Sequence, residues 1–209
     1  MEPEQESRAT LCEVGRRSWL RGFCNGNEGN FSVRLPDGRI LVTPTGLSKG
    51  FMSPNQMCLV DMAGRRLDGG QPTSELGLHL AIYRKRADVG AVIHEHPPHA
   101  TAFACSNLEL PERLHPEGVA VLGRVPKLPY VQPGGPAVGE TLAAALDAQT
   151  CCALLGNHGV VCFHAELMAA YHLLEMLEGY ARLAWLTRAL GGGRELTDAE
   201  AEAVPRYKL

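Results

Sequence analysis

Short apolar runs joined by tight turns constrain the fold of this chain more than any other feature of its sequence. Residues 30–34 (NFSVR) and 39–43 (RILVT) alternate in polarity around a turn at 36–38 (PDG), which is the pattern of an antiparallel hairpin. Residues 151–155 (CCALL) and 160–163 (VVCF) flank a second turn that is bounded by glycines. The sequence therefore predicts a sheet that is largely antiparallel.

Longer segments between these runs have the spacing of helices. We predict helices at 74–86, 136–148 and 165–190, because apolar residues recur at intervals of three and four, most clearly in the last segment. Two further runs, at 57–61 and 90–96, are predicted strands. Hairpins mixed with helices indicate an α/β architecture in which helices cover the sheet.

Composition narrows the class of protein. A length of 209 residues suits one large domain better than two small ones, and 45% hydrophobic with 21% charged residues is typical of a globular chain. The net charge of −3 gives no basic surface for nucleic acid. With no long apolar run and no apolar signal segment near the N-terminus, we expect a cytoplasmic enzyme without a membrane partner. Seven irregularly spaced cysteines indicate neither a disulfide framework nor a zinc-thiolate site.

Three histidines are candidate metal ligands. His94 and His96 lie two apart on a predicted strand, so their side chains leave the same face and can bind one divalent cation. The alternative interpretation is two ordinary polar residues at a strand end. His158 is the best third candidate, because it lies in the turn between two predicted strands. Three histidines and an open position are typical of catalytic zinc. His79, on a predicted helix, is interpreted as a packing or surface residue.

Glu75 follows two hydroxyl residues at the start of the helix predicted at 74–86. In the structural interpretation, Ser74 caps the helix and Glu75 interacts favourably with the helix dipole. In the functional interpretation, the helix start binds an anion such as phosphate, and Glu75 beside a metal is a general base. Two glycine-containing turns, 26–30 (GNEGN) and 43–46 (TPTG), have donors suited to an anion. Neither has the spacing of a nucleotide-binding motif.

Five motifs occur in an order that is characteristic of a known family: GNFS (29–32), TPTG (43–46), PTSE (72–75), HEHPPHATAFA (94–104) and NHGVV (157–161). In this order they resemble the class II aldolase/adducin family, and within it most closely the L-fuculose-phosphate aldolases. The resemblance implies a three-layer α/β/α fold with a mostly antiparallel central sheet. It also implies one domain over residues 1–209, with its core at about 10–190, and a homotetramer with active sites between subunits.

The resemblance also implies a set of site residues and a reaction. Zinc or another divalent metal would be held by His94, His96 and His158, with Glu75 as the catalytic acid/base. A small phosphorylated sugar would be bound through its phosphate by Asn30, Thr45, Gly46, Thr73 and Ser74. The implied reaction, which makes this chain a metal-dependent aldehyde-lyase, is reversible cleavage of a ketose 1-phosphate into dihydroxyacetone phosphate and an aldehyde.

One segment departs from the aldolase pattern. Residues 114–123 (LHPEGVAVLG) contain no tyrosine where the fuculose branch has an acid/base tyrosine from a neighbouring subunit; His115 or Glu117 takes that place. A glutamate in this position resembles the methylthioribulose-1-phosphate dehydratases. The sequence therefore leaves three hypotheses: the aldolase, a dehydratase or decarboxylase on the same scaffold, and a non-catalytic adducin-like module. Tyr207 is predicted to close over the site.

Overall fold

The centre of the computed structural model, which describes residues 3–205, is a sheet of eight strands. The strands are β1 Asn30–Arg34, β2 Ile40–Val42, β3 Cys58–Val60, β4 Arg66–Asp68, β5 Ala91–Glu95, β6 Lys127–Leu128, β7 Cys152–Leu155 and β8 Gly159–His164. Their order across the sheet is β4-β3-β2-β1-β5-β8-β7-β6. Every neighbouring pair is antiparallel except β6 and β7, which confirms the predicted sheet.

Helices cover both faces of this sheet. They are α1 Pro3–Leu20, α2 Leu76–Lys85, α3 Pro98–Cys105, α4 Pro136–Ala145, α5 Leu167–Ala189 and α6 Asp198–Glu202. Apolar residues of α1, α3 and α5 form one core with one face of the strands, and those of α2 and α4 form a second core with the other face. Leu41 lies in the first core, whereas its neighbours Ile40 and Val42 lie in the second, because successive strand residues point to opposite faces. The three-layer α/β/α prediction is confirmed.

Three helices were not predicted from the sequence: α1, α3 and the short α6. The polar residues near the N-terminus belong to a helix, Pro3–Leu20, which buries Leu11 and Val14 against the sheet. The segment after His96 begins with two prolines, which are disfavoured in the interior of a helix. Pro98 instead occupies the first turn of α3, where a missing N–H costs no hydrogen bond.

The start of α2 differs from the predicted cap. The helix begins at Leu76, and Ser74 is exposed. The N-cap residue is Glu75, whose side chain makes no cap hydrogen bond, and the Oγ1 of Thr73 accepts from the backbone N–H of Glu75 at 3.3 Å in the turn before the helix. In the described part of the chain, no helix has both the length and the hydropathy needed to cross a bilayer. Tyr207 lies outside the described residues.

Candidate metal and catalytic site

The three predicted histidine ligands meet at one end of the sheet. His94 lies on β5, His96 follows the last residue of β5, and His158 lies in the turn between β7 and β8. The pairing of β5 with β8 brings this turn beside the end of β5. Candidate ligand nitrogens of the three rings all lie within 4.8 Å of one another, and the ring centroids are 4.6 to 5.1 Å apart. The cluster could hold a metal ion.

The protonation states of these rings are compatible with the binding of a cation. The Nδ1 of His94 lies 2.8 Å from the carbonyl oxygen of Val160, which can only accept, so Nδ1 carries a proton and, in the neutral ring, Nε2 presents its lone pair. That Nε2 lies 3.2 Å from the Nε2 of His96 and 3.1 Å from Oε2 of Glu75. With all the rings neutral, three acceptor atoms lie close together and repel one another unless a positive charge lies among them, either a proton on His94 or a bound cation. A divalent cation bound by neutral imidazoles fits this requirement.

Burial keeps two of the rings neutral, the form that binds metals. Burial lowers the pKa of His158 to about 4, and the charge of His94 acts in the same direction. Burial also lowers the pKa of His96, although Glu28 opposes the shift. The Oε2 of Glu28 lies 3.5 Å from Nδ1 of His96 and so favours the proton on that nitrogen, which leaves Nε2 for the metal.

Glu75 lies beside this cluster, immediately before α2. Its carboxylate is 8% exposed; Oε2 accepts a hydrogen bond from Nδ2 of Asn30 at 3.0 Å, and Oε1 lies 3.6 Å from Nε2 of His158. Burial raises the pKa of Glu75, but contacts with His94, Asn30 and His158 outweigh burial and hold the pKa well below its usual range. Oε1 has no hydrogen-bond partner among residues 3–205. Glu75 is therefore an ionised base with one free oxygen beside the metal cluster.

The segments predicted to bind phosphate lie next to one another. The backbone N–H of Thr45 donates to Gln71 at 3.0 Å, and that of Thr73 donates to Thr43 at 3.2 Å, so the TPTG turn lies against the start of α2. Of the five residues predicted to bind phosphate, the structure exposes Thr45, Gly46 and Ser74 and buries Asn30 and Thr73. The side chain of Asn30 is engaged with Glu75, and its contact with phosphate stays a prediction.

A buried lysine joins the two glycine-containing turns, and the sequence analysis did not find it. The Nζ of Lys49 donates to the carbonyl oxygen of Asn27 at 3.1 Å and to that of Leu47 at 2.6 Å. Burial lowers the pKa of Lys49, and the charge of Glu95 opposes this effect. Glu95 lies directly beneath the first turn, because a Cβ on Gly29 would meet its Oε2 at 2.2 Å. No local pattern marks such a lysine, since its role depends on residues that are distant in sequence.

His115 and Glu117, the two candidates for the second acid/base group, lie elsewhere in the chain. The Nδ1 of His115 is 2.8 Å from Oε2 of Glu117, and both side chains are exposed. They precede a short π-helical turn at Gly118–Leu122, where Gly118 packs against the ring of Tyr180 on α5. Within residues 3–205, no hydrogen bond or ion pair connects either residue to the three histidines or to Glu75. One copy of the chain does not bring this pair into the metal cluster.

Comparison with known proteins identifies the family. Residues 9–185 match the model of the Class II Aldolase and Adducin N-terminal domain. The chain therefore belongs to the class II aldolase/adducin family, as its motifs predicted.

Individual relatives differ in their activities. The chain is 38% identical to a 3-oxo-tetronate 4-phosphate decarboxylase from Haemophilus influenzae over 197 residues, which cover 92% of each protein. It is 37% identical to an L-fuculose phosphate aldolase from Methanocaldococcus jannaschii over 174 residues, which cover 83% of this chain and 93% of that protein. The crystal structure of Escherichia coli YgbL, described as an aldolase, epimerase or decarboxylase, superposes with a TM-score of 0.89 at 32% identity, covering 96% of this chain and 98% of that one.

Proposed function

We propose that this protein is a divalent-metal-dependent decarboxylase of a phosphorylated 3-oxo acid of the 3-oxo-tetronate 4-phosphate type. The match to a decarboxylase over 92% of both chains carries this proposal, together with the cluster of three histidines beside Glu75. It corresponds to the decarboxylase alternative of the sequence analysis and displaces the aldolase, which was the leading hypothesis there. The aldolase is the second candidate, supported by the fuculose phosphate aldolase relative.

The two candidate reactions share their chemistry. In a 3-oxo-tetronate 4-phosphate, the carboxylate is attached to a hydroxylated carbon next to the ketone. Loss of CO2 leaves an enediolate, and one proton added to that carbon gives dihydroxyacetone phosphate. Cleavage of a ketose 1-phosphate leaves the same enediolate, with an aldehyde as the departing group. A site that stabilises the enediolate therefore serves both reactions, and they differ only in what leaves.

Different residues of this chain would bind the cation, exchange the proton and bind the phosphate. His94, His96 and His158 would hold the cation, for which we propose zinc. When bound, this cation supplies a Lewis acid that stabilises negative charge on the substrate oxygens. The free Oε1 of Glu75 would exchange a proton with the carbon that loses the carboxylate. Each turnover then releases one CO2 and takes up one proton from solvent. The five predicted residues from Asn30 to Ser74 would bind the phosphate.

The second acid/base pair needs a neighbouring copy of the chain. We propose that residues 1–209 form one domain that assembles as a homotetramer, with His115 and Glu117 of one subunit completing the site of the next. A mixing experiment tests this arrangement. Glu75→Gln and Glu117→Gln homotetramers should both be weak, and tetramers reassembled from both variants should regain activity, because some sites then contain neither substitution. Reassembled mixtures that stay as weak as their parents would contradict it.

Product analysis tests the reaction itself. Zinc-loaded protein should release CO2 and dihydroxyacetone phosphate from 3-oxo-tetronate 4-phosphate; a chelator should abolish this release, and zinc should restore it. An aldehyde formed from L-fuculose 1-phosphate, without CO2 from the 3-oxo acid, would establish the aldolase instead. A diketone phosphate formed from methylthioribulose 1-phosphate would indicate the dehydratase. Protein that binds no metal would favour the adducin-like module.

A further inference from the structure

A series of hydrogen bonds between buried side chains connects Glu75 to the layer between β1 and α2. The Nδ2 of Asn30 is 3.0 Å from Oε2 of Glu75, and Nε2 of His79 is 2.6 Å from Oδ1 of Asn30. The Oγ of Ser32 is 2.7 Å from Nδ1 of His79 and 2.8 Å from the hydroxyl of Tyr83. All five residues are buried. The spacing follows from the two elements: Asn30 and Ser32 share a face of β1, and the other three recur every fourth residue along α2.

The donor and acceptor groups fix the direction of every hydrogen bond in this series. The Glu75 carboxylate only accepts, so the Asn30 amide nitrogen donates to it and the amide oxygen faces His79. That oxygen only accepts, so Nε2 of His79 carries the ring proton. Burial lowers the pKa of His79 to about 3, which keeps the ring neutral near pH 7 and leaves Nδ1 as an acceptor. The Ser32 hydroxyl therefore donates to Nδ1 and accepts from Tyr83.

We propose that His79 is a positioning residue for the catalytic carboxylate, because it holds the Asn30 amide in the one orientation that donates to Glu75. This inference rests on the proposed function. A flipped amide would place its oxygen against the carboxylate oxygen and repel it. With Oε2 held in this way, the carboxylate plane is fixed, and Oε1 stays directed into the cluster of histidines.

Substitution of His79 tests the proposal through turnover. His79→Leu fills the space but has neither ring nitrogen, and we expect kcat to fall about 10- to 100-fold, the range for partners that orient active groups. The KM and the bound metal should stay near those of the unmodified protein. His79→Gln, whose amide has a donor and an acceptor, should recover part of the loss. His172→Gln, at an exposed position of α5, is the matched control. A folded, metal-loaded His79→Leu protein with unchanged kcat would overturn the proposal.

Two further measurements do not depend on the folding of that variant, and the second does not depend on the identity of the reaction. Ser32→Ala removes the hydroxyl that donates to Nδ1 of His79, and its kcat should fall several-fold; an unchanged kcat contradicts the proposal. Nitrogen-15 NMR of the unmodified, metal-free protein should show His79 as the Nε2–H tautomer. The Nδ1–H tautomer would reverse the direction of the hydrogen bonds that His79 makes with Asn30 and Ser32, and it would overturn the proposal. Because this measurement needs no turnover, it stays decisive even if no decarboxylase activity is found.

Discussion

Two buried carboxylates near helix starts, Glu75 before α2 and Glu178 facing α3, show how differently the same group is used in this molecule. Both residues are 8% exposed. Glu178 accepts hydrogen bonds from the backbone N–H groups of His99 at 3.0 Å and Ala100 at 2.9 Å, and it lies 2.6 Å from Nδ1 of His99. Glu75 has partners for Oε2 but none within residues 3–205 for Oε1.

Burial alone therefore does not distinguish a functional carboxylate from a structural one in this fold. Glu178 fills the hydrogen-bonding requirement of the first turn of α3, which stabilises that helix. A buried acceptor without a partner costs about 1 to 3 kcal/mol of stability. The free oxygen of Glu75 has no structural use within the described chain, and it lies beside three converging imidazoles. A free oxygen beside three converging imidazoles, more than burial alone, distinguishes Glu75 from Glu178.

The largest effect on activity is expected when His94, the candidate metal ligand that contacts Glu75, is removed. His94→Ala should lose bound metal and activity together, because the ring lies at the centre of the cluster and contacts both His96 and Glu75. Metal content by mass spectrometry and turnover on the same sample measure the two losses. A variant that keeps one equivalent of metal with full activity would remove the cluster from the mechanism.

Glu75→Gln should separate chemistry from metal binding. The amide keeps the shape of the carboxylate but cannot exchange a proton, so kcat should fall about 10²- to 10⁴-fold while the metal is retained. Glu166→Gln, at an exposed position before α5, is the control for loss of one negative charge. Full activity in the Glu75 variant would show that the base has been assigned wrongly.

Glu178→Ala should have the opposite profile, with lost stability and little change in chemistry. Backbone donors at the start of α3 lose a charged acceptor, and we expect unfolding to become easier by about 2 to 4 kcal/mol. Urea unfolding of the metal-free protein measures the cost, and kcat is then measured on folded protein. A variant of unchanged stability, or one that loses kcat as severely as Glu75→Gln, would remove the distinction between the two carboxylates.

The pH dependence of stability gives a smaller, graded test. The pKa of buried His79 is about 3 in the folded protein, well below the value of about 6.5 for an exposed histidine. Between these values the unfolded chain binds more protons, so metal-free protein should lose stability as the pH falls from about 6.5, by roughly 3 kcal/mol at pH 4 from this residue. The decrease should be shallower for His79→Gln. An equal slope for both proteins would show that His79 is not buried as a neutral ring.

Local patterns predicted the strands that carry the site, because hairpin turns and alternating polarity are encoded within a few residues. They also predicted His94, His96 and His158 as a cluster, since the strand and the turn that hold them could both be read from the sequence. They did not predict α1, whose polar sequence is stabilised by packing of Leu11 and Val14 against the distant sheet.

Contacts between distant segments account for what the sequence could not show. His79 was interpreted as a packing or surface residue, because nothing near it in sequence reveals that Asn30 and Ser32 face both of its ring nitrogens. Lys49 was missed for the same reason. The roles of His115, Glu117 and the five residues predicted to bind phosphate stay predictions, since they depend on a neighbouring subunit and on a substrate.

The strand register at this site also has a consequence for the order of folding. Asn30 pairs with His94 across β1 and β5, and His94 pairs with Val161 across β5 and β8. These contacts join residues more than 60 positions apart, so loops must close before His158 can meet His94 and His96, which are neighbours in sequence. The cation can therefore bind to the complete three-histidine site only after β5 and β8 have paired. It should act late, by slowing unfolding of the finished sheet, and it should not nucleate that sheet.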